Sequence, residues 1–238
     1  MKGLSAFLIL SREKILNMQN KVLIKEIFES IQGEGLYIGV NQLFIRFSRC
    51  NLQCAYCDTD FKTGLKEYTI QELAEIVSAF KNIHSISLTG AEPLMEADFL
   101  LKFLPVINAK IYLETNGTLY ENLEKIKSFI DIIAMDIKLP SAAGQRAVFD
   151  LHEKFLQAAE GRELFVKAVF DENITNQEIQ KCAELCGKYS APLILQPKMN
   201  GGRLSCNPGF IHKILKIFSE SLSDVRIIPQ IHKFMNVR

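Results

Sequence analysis

From residue 22 onward the chain alternates short runs of apolar β-formers with longer stretches whose apolar positions recur at helical spacing. The short runs predict strands over 42–47, 85–88, 110–113, 130–135, 164–169, 193–195 and 225–228. The helical pattern covers 69–80, 96–107, 119–128, 147–159, 175–188 and 208–222. Two of these begin at a cap: Thr69 stands ahead of Gln71 and Glu72, and Thr175 stands three residues ahead of Glu178. Strand–helix–strand repetition at this spacing predicts parallel βαβ units. With no glycine/serine linker and no low-complexity tract, the expectation is one α/β domain over 21–238, an open or partial (β/α) barrel of mostly parallel strands.

The unusual residues fall in a pattern of their own. Cys50 follows the first predicted strand, Thr89-Gly90-Ala91-Glu92-Pro93 the second, and Glu114-Thr115-Asn116-Gly117 the third. Asp136-Ile137-Lys138 follows the fourth, Gln196-Pro197-Lys198 the sixth, and Gln230-Ile231-His232-Lys233 the last. Chance would scatter such clusters over both ends of the strands. Parallel α/β folds bind ligands at the C-terminal ends, where loops and helix N-termini converge, so one shared site is expected there.

Composition narrows the function classes. The 238 residues are 48% hydrophobic and 23% charged, which excludes a mainly disordered chain. Lys plus Arg (28) nearly balances Asp plus Glu (27), which removes any bulk electrostatic case for a nucleic-acid partner or a membrane surface. No apolar run approaches the roughly 18–20 residues of a membrane span. The apolar run from Leu4 to Leu10 is short and lacks an Ala-x-Ala cleavage site, so residues 1–20 are read as an N-terminal extension or a misassigned start ahead of Met18. Three of the six cysteines crowd into positions 50–57, and the others stand at 182, 186 and 206. A chain with an adequate core has no need of disulfide staples, so the cluster suggests metal binding in a reducing, cytoplasmic compartment.

Cys50, Cys54 and Cys57 form C-x3-C-x2-C on the loop leaving the first predicted strand. Three thiolates at that spacing can wrap a 4Fe–4S cluster and leave one iron open. Zinc would want a fourth His or Cys nearby, and three buried free cysteines would more often be dispersed. The motif, with Tyr56 before the third cysteine, resembles the signature of radical S-adenosylmethionine (SAM) enzymes. The segment Thr89–Pro93 is similar to that superfamily's Gly-Gly-Glu-Pro motif, with Ala91 in place of the second glycine. Adding Gln32-Gly33-Glu34-Gly35, Arg46 and Cys57-Asp58-Thr59, the chain from about 22 to about 236 resembles the 7-carboxy-7-deazaguanine synthases.

The resemblance implies a partial barrel of the radical SAM type and a set of roles. Cys50, Cys54 and Cys57 would hold the 4Fe–4S cluster; Thr59 would be a Mg²⁺ ligand. SAM would lie against Ala91, Asp136, Ile137, Lys138, Gln196, Pro197, Lys198 and Met199. The substrate, 6-carboxy-5,6,7,8-tetrahydropterin, would meet Ile31, Gln32, Gly33, Glu34, Arg46, Thr89, Glu114 and His232. A carboxylated pterin wants a charge-assisted donor for its carboxylate and an acid for its guanidine-like edge, which Arg46 and the acids supply. The chemistry implied is reductive cleavage of SAM, hydrogen abstraction from C6, ring contraction and loss of ammonia, the reaction of a carbon–nitrogen lyase in 7-deazapurine (queuosine) biosynthesis. A flavodoxin or ferredoxin electron donor and a homodimer are family expectations. The rivals are an activating enzyme that installs a glycyl radical on a partner protein, and a non-catalytic iron–sulfur or zinc module. Cys182 and Cys186, at i and i+4 on one predicted helix, are expected to pack in the core.

Overall fold

A computed structural model describes residues 20–57, 60, 63–200 and 202–237. Residues 1–19 of the extension, with the two candidate start methionines, and Thr59 lie outside the described residues. The strands are β1 (Lys21–Ile31), β2 (Asn41–Phe47), β3 (Lys66–Thr69), β4 (Ser85–Gly90), β5 (Ile111–Thr115), β6 (Ile132–Ile137), β7 (Glu163–Phe170), β8 (Leu193–Pro197), a small hairpin of β9 (Met199–Asn200) and β10 (Arg203–Leu204), and β11 (Val225–Ile227). The helices are α1 (Ile70–Ala79), α2 (Ala97–Phe103), α3 (Tyr120–Ile126), α4 (Pro140–Ala143), α5 (Phe149–Ala158), α6 (Asn176–Lys188), α7 (Pro208–Ser219) and α8 (Ile231–Met235).

One nine-stranded sheet runs β11-β8-β7-β6-β5-β4-β2-β1-β3. From β2 to β11 every neighbouring pair is parallel, while β1 and β3 add an antiparallel edge. Among the described residues the order does not close on itself, so the barrel is partial. Both expected capping boxes form, Thr69 with Glu72 on α1 and Thr175 with Glu178 on α6. The predicted helix over 96–107 is shorter, because Pro105 lacks the N–H to continue it and the chain tightens into a 3₁₀ turn, Leu104–Val106.

Strand periodicity sorts the residues into two faces. Ile45, Ile86, Leu88, Leu113, Ile133, Met135, Val166, Ala168 and Leu195 pack with α1–α3 and α5–α7 in the large core, where Cys182 and Cys186 are also buried. The alternate positions Tyr112, Ile132, Ala134, Phe165 and Ile194 make a smaller core on the opposite, inner face, covered by Leu36, Tyr37 and Ile228. Tyr37 meets Tyr112 edge-on at 5.8 Å and hydrogen-bonds Glu163 at the start of β7. The strand N-terminal ends of the inner face are thereby filled with aromatic and aliphatic groups. One or two steps further along each strand, the same face turns polar.

β1 and β3 were not expected from the sequence. The register of β1 against β2 slips between Ile24 and Glu26, so a bulge at Lys25 moves the inward-facing set from one parity to the other. Val22 and Ile24 join the large core, whereas Phe28 stacks on Phe44 on the inner face, rings 5.1 Å apart. A strand that changes parity midway shows no sustained alternation.

Candidate active site

The polar residues expected just after the strands stand mostly on the strands' last residues. Arg46 pairs in register with Thr89, and Asp136 with Lys167. Period two then aims Arg46, Thr89, Glu114, Asp136, Lys167 and Gln196 into one inner-face cleft of about 1070 Å³ including its mouth, which Cys50, Cys54 and Cys57 also line. Ile137 and Pro197 are the exceptions. Each is one residue out of phase; Ile137 is buried in the large core and neither borders the cleft, so neither side chain can contact a ligand there.

The cysteine loop is fixed from both sides. Ala55 N–H donates to Ala143 O at the end of α4 (2.8 Å), and the Asn116 amide donates to Asn51 Oδ1 (2.9 Å). Donors converge on the sulfurs: Leu52 N–H lies 3.4 Å and the Asn116 amide 3.9 Å from Cys50 Sγ, and the Gln145 amide lies 3.3 Å from Cys54 Sγ. Lys138 sits over the Tyr56 ring at 5.6 Å. Burial pushes the Cys50 and Cys54 thiols up, so metal loading must displace their protons. Among the described residues no three His, Cys, Asp or Glu groups converge tightly enough for a single ion. Three thiols around one cleft, two of them with N–H donors aimed at sulfur, fit a cluster that spreads its ligands over several irons.

Behind that cleft, and sharing Glu34, Arg46, Thr89, Glu114 and Gln230 with it, lies a second recess of about 550 Å³. All eight positions expected to meet the substrate border this recess: Ile31, Gln32, Gly33, Glu34, Arg46, Thr89, Glu114 and His232. Glu114 accepts from the Gln32 amide and the Thr89 hydroxyl, both at 2.9 Å. Arg46 pairs with Glu26 at 2.9 Å and lies over Phe28, 5.7 Å from the ring centre, with no aligned acceptor at its Nε. His232 belongs to α8, which docks through Ile231 N–H on Gly33 O (2.9 Å). Its ring packs so closely that a Cβ on Gly33 would come within 2.3 Å of Nδ1.

On the other side, Gly90 takes a left-handed φ of 98°, and a Cβ there would meet the Phe47 backbone at 2.8 Å. Ala91 shows no positive φ, so its methyl is tolerated where the related motif has glycine. Glu92 is fully buried and accepts from Asn116 N–H (2.7 Å), the Thr115 hydroxyl (2.9 Å) and Leu94 N–H (3.1 Å). Burial outweighs these donors and holds its carboxyl up at about 7. Lys138 pairs with Asp136 at 3.0 Å. Lys198 and Met199 border the mouth, and the buried Gln196 Oε1 has no protein donor.

Two residues of this site went unread in the sequence. Lys167 sat unnoticed in the apolar run Leu164-Phe165-Val166-Lys167-Ala168-Val169, where a lysine among core residues was the available signal. Gln230, named only within its tetrapeptide, donates to Glu34 Oε1 at 2.7 Å.

Residues 44–184 match the Radical SAM superfamily. The chain is 37% identical over 240 residues to the 7-carboxy-7-deazaguanine synthase of Geobacter sulfurreducens, covering 89% of this chain and 96% of the relative. It is 36% identical to the synthase of Archaeoglobus fulgidus, covering 90% and 97%. The crystal structure of QueE from Escherichia coli superposes with a TM-score of 0.57 at 18% identity, covering 90% of this chain and 97% of that one, a likeness of fold. By its superfamily match and by these relatives, the chain belongs to the 7-carboxy-7-deazaguanine synthase family of radical SAM enzymes.

Proposed function

We propose that the enzyme converts 6-carboxy-5,6,7,8-tetrahydropterin to 7-carboxy-7-deazaguanine with loss of ammonia, as a carbon–nitrogen lyase in the 7-deazapurine (queuosine) pathway. The observation that carries the reading is the junction of two recesses: eight expected substrate positions border one, and three cysteines border the other. When bound, a 4Fe–4S cluster on Cys50, Cys54 and Cys57 supplies the electron that cleaves SAM, and SAM the hydrogen-abstracting group.

The protein's residues do the binding and the shielding. Arg46, lying over Phe28, presents its guanidinium to the substrate carboxylate. Glu34 and Glu114 accept from the pterin's N–H edge, and Thr89 and Gln32 hold Glu114 in place. Asp136, Lys138, Gln196, Lys198 and Met199 line the SAM half, and the unpartnered Gln196 Oε1 awaits a donor there. Ala91 contributes through its backbone beside Gly90, while Ile137 and Pro197 can contribute only main-chain atoms. The aromatic plug of Tyr37, Tyr112 and Phe165 closes the far end and keeps water and stray hydrogen donors out.

Finer points belong to the same proposal. Thr59, next to the third cysteine, ligates Mg²⁺ together with substrate and water. A flavodoxin or ferredoxin supplies the electron, and the enzyme works as a homodimer in the cytoplasm. The six cysteines are free, and no described helix is long and apolar enough to cross a membrane. The function is tested with iron- and sulfide-reconstituted protein, SAM, Mg²⁺, dithionite and 6-carboxytetrahydropterin under anaerobic conditions. Mass spectrometry should find 7-carboxy-7-deazaguanine, lost in Cys54→Ala and diminished without Mg²⁺. 5′-Deoxyadenosine without product would exclude the pterin and favour a protein substrate.

A further inference from the structure

At the centre of the site stands a lysine that no motif accounts for. Lys167 lies on β7 opposite Asp136, its side chain 3% exposed. Its Nζ is 2.7 Å from Glu34 Oε2 and 3.5 Å from Asp136 Oδ1. An ammonium this deeply buried is retained only where carboxylates converge on it. Two do so here, from separate elements, and they hold the Lys167 ammonium well above its usual range despite burial.

The two acids of the substrate recess are held differently. Glu114 is fixed by neutral donors, Gln32 and Thr89. Glu34 has Lys167 on one oxygen and the Gln230 amide on the other, so β7 and the residue leading α8 together set the plane of its carboxylate. The groups facing Glu34 are Lys167 from β7, Asp136 from β6, Glu114 and Tyr112 from β5, Arg46 from β2 and His232 from α8. Without Lys167, Glu34 would face Asp136 and Glu114 with its hydrogen-bonded cation gone, and like charges favour protonation. Burial opposes ionisation of Glu34, but Lys167 and Gln230 outweigh it and hold the carboxyl down at about 2.

Resting on the reading that Glu34 accepts from the pterin's N–H edge, we propose that Lys167 is the positioning residue for that acid: it keeps Glu34 ionised and fixes its plane, and acts on the substrate only through it. Lys167 also joins the two recesses, because its second partner, Asp136, pairs with Lys138 beside the cysteine loop.

The test measures binding rather than turnover. Reconstituted holoenzyme, with SAM present and no reductant, is titrated anaerobically with 6-carboxytetrahydropterin in wild type, Lys167→Met, Glu34→Gln and the double variant. Thermal melting and iron content report on folding. In Lys167→Met the part-buried acid has lost its hydrogen-bonded cation, so it protonates within the working range. The ratio of its Kd to that of wild type should climb roughly tenfold or more between about pH 8.5 and pH 5.5. Dividing by wild type removes the ligand's own titration. In the double variant the ratio to Glu34→Gln should stay near one at every pH. That comparison decides the matter if Lys167→Met does not fold, because the double variant carries no uncompensated acid at position 34. A ratio that is raised but flat with pH would show Lys167 touching the substrate directly, and would overturn the proposal. So would a Kd equal to wild type, or a further roughly tenfold loss in the double variant over Glu34→Gln. Wild type that binds SAM but not the pterin would instead overturn the substrate reading, and this proposal with it.

Discussion

Gly90 and Ala91 are neighbours with opposite demands. Gly90 holds a left-handed φ of 98° where a Cβ would run into the Phe47 main chain, while Ala91 keeps an ordinary backbone. The glycine requirement of the Thr89–Pro93 turn therefore falls on the first position. Gly90→Ala should cost about 1–3 kcal/mol from the backbone alone, with the Phe47 clash in addition. It should also abolish SAM binding measured by equilibrium dialysis. Ala91→Gly should change that affinity by no more than roughly twofold, since it removes a methyl that strains nothing.

Cys50, Cys54, Cys57 and Gln32-Gly33-Glu34-Gly35 are compact in sequence and could be read as units. Lys167 was not, because its meaning depends on Glu34, 133 residues away. Ile137 and Pro197 were included because a motif is written as a contiguous string. A strand presents only every second residue to one face, which sends Asp136 to the cleft and Ile137 to the core.

Among the elements, α8 couples the end of the chain to the start of the sheet. It buries none of its own residues, yet it carries His232 into the recess and is led by Gln230. Gly33 is the seat on which it rests. Gly33→Ala should push His232 and α8 away, raising the KM for the pterin roughly tenfold or more through lost orientation. The melting temperature should move by no more than a few degrees, because no core contact is lost. A large drop in melting temperature with unchanged KM would assign α8 a stabilising role instead.

The parallel strands were legible because each alternates with an amphipathic helix and is flanked by turn chemistry. β1 was not, because the bulge at Lys25 exchanges its faces midway. β3 is a four-residue antiparallel edge that carries little pattern of its own. The expected strand ends fell short by two residues at β4, β5, β6 and β8, since polar side chains there looked like loop. Those polar ends line the candidate site.

For the whole molecule, pH acts on stability through His152, which lies behind the site on α5. It is fully buried, with Nε2 3.1 Å from Asn116 O and Nδ1 without a partner. Burial lowers its pKa from 6.5 to about 4. The unfolded chain therefore binds the proton first as pH falls. The contribution of His152 is complete above pH 6.5 and is lost as pH falls through that window toward about 4. Urea unfolding should show roughly 2–3 kcal/mol less stability at the acid end from this residue, and His152→Phe should remove that part of the slope. An unchanged slope in the variant would assign the acid sensitivity to other groups.

Near-zero net charge and a sheet backed on one face by helices leave the inner face as the place where function concentrates. That face grades from an aromatic plug at the strand N-terminal ends to acids, lysines and cysteines at the C-terminal ends. On the proposed function it holds substrate and SAM side by side in two joined recesses. The most direct test is an anaerobic crystal structure of the reconstituted enzyme with SAM and 6-carboxytetrahydropterin. The pterin carboxylate is expected on Arg46, its N–H edge on Glu34 and Glu114, and SAM between the cluster and Gln196. A pterin bound away from Arg46 and Glu34, or SAM occupying the recess that His232 borders, would contradict it.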